Sequence, residues 1–137
     1  KAAGNTPFIA KGVLSVQDAL KRKDAGCAGI VISHHHGRIP FGVAPLMVLP
    51  KIKVALAGSG ISLFVDCGID TGYDAYKALA LGADAVSVGR GILKPLLQEG
   101  AEGVKETVGK MNEQLSELMM YTCVKDTRSF DASVLYL

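Results

Sequence analysis

Each apolar run in this chain leads into a residue able to do chemistry. Lys11 ends Pro7-Phe8-Ile9-Ala10, and Ser33, His35 and Arg38 follow Gly29-Ile30-Val31-Ile32. Asp66 ends Ser62-Leu63-Phe64-Val65, and Gly89-Arg90 close Ala85-Val86-Ser87-Val88. An imidazole suits general-base work because its proton affinity lies near neutral pH. Arg38, just beyond it, offers a planar donor fork for a substrate carboxylate. A strand-end Lys is often only solvated, but on a rim shared with an anion site Lys11 is a partner for developing negative charge. Three His in a row, His34-His35-His36, do not read as a metal site. Neighbours on an extended segment point in alternate directions, and no carboxylate follows at helical His-x-x-x-His spacing. A packing or surface role is expected for at least one of them.

Two glycine-rich loops carry a second signal. Asp66-Cys67-Gly68-Ile69-Asp70-Thr71-Gly72 leads from a strand into a helix, and Gly89-Arg90-Gly91 repeats the pattern one unit later. Glycine lets backbone approach a ligand closely, and a helix N-terminus presents free N–H groups to an anion. With the Arg90 charge, the pattern reads as a phosphate site; otherwise these glycines only make tight turns.

The elements that must position these groups alternate. Strands are expected at Pro7–Lys11, Gly29–Ser33, Ser62–Asp66 and Ala85–Gly89. Helices are expected from Ser15 to about Ala25 with Gly26 as C-cap, from Pro45 to Ala57 with Pro50 bending or interrupting it, and from a Thr71 or Asp70 cap to Leu81. A short helix over Ile92–Leu97 and a long one over Glu102–Tyr121 follow, then an irregular tail, Lys125–Leu137, in which Asp126-Thr127-Arg128-Ser129 caps a turn. Ala25–Ser33 aligns with Leu81–Gly89 as helix end, glycine turn and strand. Such a repeat implies parallel strands joined by crossover helices, in an open doubly wound sheet or a closed barrel. Phosphate commonly sits at the loops after strands seven and eight of a barrel, so the chain reads as four β/α units, the C-terminal half of a (β/α)8 barrel.

Composition narrows the classes. The length of 137 residues suits one domain, and a 49% hydrophobic content with 6% aromatics and no Trp suits parallel strands buried on both faces. A formal charge of +2 argues against nucleic acid or an anionic membrane surface, and no apolar run is long enough to span a bilayer. Cys27, Cys67 and Cys123 fit neither a disulfide framework nor a zinc pattern, so reduced thiols in a cytoplasmic protein are expected. The chain opens at Lys1-Ala2-Ala3 with neither an initiator Met nor a leader and enters a strand at once, which reads as the middle of a longer product.

Together these motifs resemble the FMN-dependent 2-hydroxy acid oxidising family, which includes glycolate oxidase, lactate oxidase and flavocytochrome-type lactate dehydrogenases. The resemblance covers nearly the whole chain. Ile9-Ala10-Lys11-Gly12-Val13-Leu14-Ser15 is similar to the family's strand-five segment, and Ile32-Ser33-His34-His35-His36-Gly37-Arg38 to its Ser-Asn-His-Gly-Gly-Arg motif. Val65-Asp66-Cys67-Gly68-Ile69-Asp70-Thr71-Gly72-Tyr73-Asp74 is similar to its Asp-Gly-Gly-x-Arg-x-Gly-x-Asp motif, and Val88-Gly89-Arg90 continues the match. The resemblance implies strands five to eight of the barrel, residues 1–137, with FMN as cofactor. It implies that His35 takes the substrate hydroxyl proton, Arg38 holds the substrate carboxylate, Lys11 and Ser33 contact the flavin ring, and Asp66, Gly68, Gly89 and Arg90 line the ribityl-phosphate site.

Three positions depart from the pattern: His34 for Asn, His36 for Gly, and Asp70 for Arg beside the phosphate. Asp70 is expected to weaken or re-route phosphate binding. The substrate is left open, and so is a non-catalytic FMN- or phosphate-binding half-barrel. An FMN barrel isomerase or IMP dehydrogenase-like enzyme fits the His35/Arg38 pair less well. Half a barrel exposes sheet edges and an apolar interior, so the expected partners are a small 2-hydroxy acid and the missing N-terminal half or another copy, in a homo-oligomer.

Overall fold

The computed structural model describes residues 4–136. The lead-in Lys1–Ala3 and the last tail residue, Leu137, lie outside the described residues. Four strands, β1 (Ile9–Val13), β2 (Gly29–Ile32), β3 (Ser62–Val65) and β4 (Ala85–Val86), form one sheet in the order β1-β2-β3-β4, each neighbour pair parallel. Helices α1 (Val16–Asp24), α2 (Pro45–Ala55) and α3 (Gly72–Ala80) make the connections, and α4 (Leu93–Tyr121) follows β4. All the strand C-termini therefore lie on one rim, the placement that the α/β reading required.

Burial alternates along β2 and β3. Ile30, Ile32, Leu63 and Val65 are buried and pack with Val13, Ala19, Leu49, Ile52, Ala75 and Ala78, whereas Val31 and Phe64 on the other face are half-buried and Ile9 is exposed. The composition suggested strands covered on both faces; among the described residues the helices cover one face fully.

Local chemistry explains the element ends. The Ser15 hydroxyl accepts from the Asp18 N–H, and Gly26 takes the left-handed conformation just past the C-cap Ala25. Thr71 and Asp74 form a reciprocal capping box that starts α3. Helix α2 begins with Pro45 at its first turn and continues through Pro50 to Ala55, so Pro50 does not interrupt it. Strand β1 runs past Lys11 to Val13 because an irregularity at Gly12 shifts its register against β2. Strand β4 is two residues long instead of five, although the Ser87 N–H still donates to Val65 O. The gap expected between Leu97 and Glu102 is a kink at Gly100, whose backbone is non-helical (φ 63°, ψ −142°).

The tail is irregular as expected, apart from a single 3-10 turn over Ala132–Val134. Asp126 Oδ1 accepts from Arg128 N and Ser129 Oγ, and Phe130 packs edge-on against Tyr76 at a ring separation of 5.1 Å. Among the described residues no helix is long and apolar enough to cross a membrane.

Helices α3 and α4 approach closely at Gly72. A Cβ there would overlap the Met111 carbonyl oxygen and lie 2.7 Å from Leu115 N, both backbone atoms that cannot swing aside. Gly72→Ala is therefore expected to destabilise the fold by about 2–3 kcal/mol, the cost of overpacking, as a lower urea midpoint by circular dichroism.

Candidate functional site

The site begins with a buried hydroxyl. Ser33, fully buried just past β2, accepts from Lys11 Nζ at 2.8 Å and from the His35 N–H at 3.1 Å. Lys11 reaches across from β1 and also pairs with Asp66, just past β3. Three of the expected residues, 55 positions apart at the extremes, thus form one hydrogen-bonded unit because parallel pairing aligns their strand ends.

Burial pushes the Asp66 carboxyl upward, but hydrogen bonds from Cys67, Lys11 and Ser33, with the Lys11 charge, outweigh it and hold the group below its ordinary value of 3.8. A depressed carboxyl stabilises the fold above its unfolded pKa, and the contribution disappears as pH falls through the folded value. The stability gap between the native chain and Asp66→Asn is therefore expected to be full at neutral pH and to close below pH 3.8. Urea midpoints at pH 7 and in acid check this; a gap that persists in acid refutes it.

His35 occupies an unusual backbone. His35 and His36 both have left-handed φ, 51° and 58°, uncommon for non-glycine residues. Hydrogen bonds hold the segment: His35 N–H to Ser33 Oγ, His36 N–H to Cys67 Sγ at 3.3 Å, and Gly37 N–H to His34 Nδ1 at 2.9 Å. His34 thus caps the 3-10 turn over His35–Gly37. Among the described residues no group of three His, Cys, Asp or Glu could hold a metal ion. Arg38 follows the turn and is exposed.

The sequence reading missed Cys67. Its thiol donates to Asp66 Oδ1 at 2.9 Å, contacts Ser33 Oγ at 3.5 Å and accepts from His36 N–H, so it ties the ends of β2 and β3 together. The available signal was its place after Asp66, where the resembled motif has Gly; its φ of 68° keeps the glycine conformation.

The glycine loops lie farther along the rim. Gly68 has φ 82°, and neither Gly68 nor Gly89 has an atom within 4 Å of where a Cβ would stand, so a ligand can approach their backbone. Arg90, exposed, opens the 3-10 turn that leads into α4. The free N–H groups expected at the start of α3 are instead occupied. Asp74 Oδ2 accepts from Thr71 N at 3.1 Å, Thr71 Oγ1 accepts from Asp74 N, and Gln114 Oε1 accepts from Gly72 N at 2.9 Å. Asp70 Oδ1 would stand 2.9 Å from a Cβ on Gly91, placing its carboxylate against the second loop. Any anion seat here rests on Gly68, Gly89 and Arg90 and not on the α3 N-terminus.

Known proteins resemble this chain in sequence and in fold. A family model described as FMN-dependent dehydrogenase matches residues 1–137. The 4-hydroxymandelate oxidase of Amycolatopsis orientalis is 40% identical over 120 residues, 87% of this chain and 33% of the relative. The L-lactate oxidase of Lactobacillus jensenii is 38% identical over 126 residues, 91% of this chain and 31% of the relative. A solved flavocytochrome b2 variant with sulfite bound superposes with a TM-score of 0.91 at 31% identity, covering 96% of this chain and 35% of that one. The chain spans about a third of the length of these relatives.

Proposed function

The chain belongs to the FMN-dependent dehydrogenase family, and from that membership and the rim geometry we propose that residues 1–137 are strands five to eight of a (β/α)8 barrel that oxidises a 2-hydroxy acid to a 2-oxo acid. The observation that carries the reading is the bonded unit of Lys11, Ser33 and Asp66 with His35 attached to it at the C-terminal ends of parallel strands.

The donor set fits FMN at both ends. Lys11 and Ser33 offer an ammonium and a hydroxyl to the electron-rich edge of a flavin ring, and Gly68, Gly89 and Arg90 offer open backbone and a guanidinium to its phosphate. Asp70 opposes the phosphate charge, so binding there leans on Arg90. FMN, when bound, accepts the electron pair. His35 removes the substrate hydroxyl proton, and Arg38 orients the carboxylate so that the reacting carbon faces the ring. Lys11, held by Ser33 and Asp66, places positive charge where negative charge accumulates.

The exposed Ile9 and the half-buried Val31 and Phe64 make the apolar face that the N-terminal half of the barrel, or another copy, covers. The 137-residue chain alone is therefore expected to be inactive, and rapid flavin reduction by it would refute that. The full-length protein, mixed anaerobically with lactate, mandelate and glycolate, is expected to lose its oxidised-flavin absorbance with at least one of them at a saturable rate. No bleaching with any 2-hydroxy acid overturns the proposed activity.

A further inference from the structure

We propose that Gly12 is a positioning residue: its bare Cα is the seat on which the His35 imidazole rests. This deepens the reading of His35 as the base and rests on it. Gly12 interrupts the β1–β2 register between Lys11 and Val13 and has φ 97°, a conformation side chains rarely adopt. A Cβ at this position would lie 2.6 Å from His35 Nε2, 3.4 Å from Cδ2 and 3.5 Å from Cε1. The absent side chain is therefore replaced by the imidazole ring, with its Nε2 edge closest.

Two contacts from the end of β1 then locate His35. Lys11 Nζ holds Ser33 Oγ, which in turn accepts the His35 backbone N–H, and Gly12 receives the ring. The backbone of His35 is itself left-handed at φ 51°, so the ring's direction is set by this loop and not by a regular strand or helix. A Cβ at position 12 pushes Nε2 out from 2.6 Å to ordinary contact, a displacement of roughly 1 Å. A misplacement of that order at a reacting group costs up to about 100-fold in rate.

The test uses the full-length protein carrying Gly12→Ala, His35→Ala and the double substitution, together with nuclear Overhauser contacts in the flavin-free protein. The native protein is expected to show a contact between the His35 ring protons and Gly12 Hα. Gly12→Ala is expected to slow flavin reduction by a 2-hydroxy acid between about 10- and 100-fold. In the His35→Ala background it is expected to add nothing, because the group it displaces is gone. Should Gly12→Ala fail to fold at this backbone angle, Gly12→Asn, which tolerates positive φ better, replaces it in the same cycle. Absence of the ring contact overturns the seat whatever the activity. A native rate in the Gly12 variant, or the same further loss in the His35→Ala background, overturns it while leaving the proposed oxidation standing. A native rate in His35→Ala overturns both.

Discussion

His35→Ala in the full-length protein is expected to slow flavin reduction by a 2-hydroxy acid between roughly 100- and 10,000-fold, the contribution of a positioned general base. FMN binding is expected to be unchanged, because the residues proposed to hold it are Lys11, Ser33, Asp66, Gly68, Gly89 and Arg90. The substitution also leaves the core intact, since His35 is exposed on the rim. Two readouts separate loss of a base from loss of structure. The flavin spectrum and the unfolding midpoint should match the native protein while the rate of flavin reduction alone falls. A variant that reduces its flavin at the native rate, with FMN bound, removes His35 from the chemistry.

The order of elements and the shared rim were legible in the sequence because β-branched runs and glycine punctuation mark strand ends. Parallel pairing does the rest: once Ile30 and Ile32 lie beside Leu63 and Val65, Ser33 and Asp66 must emerge side by side. What could not be read was which rim groups touch. The pairing of Lys11 with Asp66 depends on side-chain reach across β2, and neither residue has a sequence neighbour that signals the other. The α3 N-terminus shows the same limit. A glycine loop before a helix suggested open N–H groups, but Gln114, 42 residues away on α4, occupies one of them. Cys67 was read only as a reduced thiol, and its local role as acceptor for His36 N–H follows only from the left-handed turns at both residues. Strand β4 was overextended for another reason: the apolar pattern continues through Val88, but ladder pairing stops near the last residue that β3 can meet.

Lys11→Met is expected to produce the second large loss, about 100- to 1,000-fold in flavin reduction, the range for removing one preorganised donor to developing negative charge. Methionine keeps the length and apolar stem of lysine but removes its ammonium, so Ser33 loses its 2.8 Å donor and Asp66 its ion-pair partner. Asp66 then carries an uncompensated negative charge beside the ring site, which opposes charge build-up there as well as failing to assist it. Cys67 still donates to Asp66, so the carboxyl does not lose all support and the fold is expected to survive with a modest drop in unfolding midpoint. The measurable consequence specific to charge is a fall in the reduction potential of bound flavin, which a packing defect does not produce. Lys11→Met/Asp66→Asn removes both charges of the pair and is expected to recover part of that potential, while Asp66→Asn alone should leave it near or above the native value. If Lys11→Met leaves the potential unchanged, the ammonium does not act on the flavin, and its bond to Ser33 is reduced to a scaffold for the His35 loop.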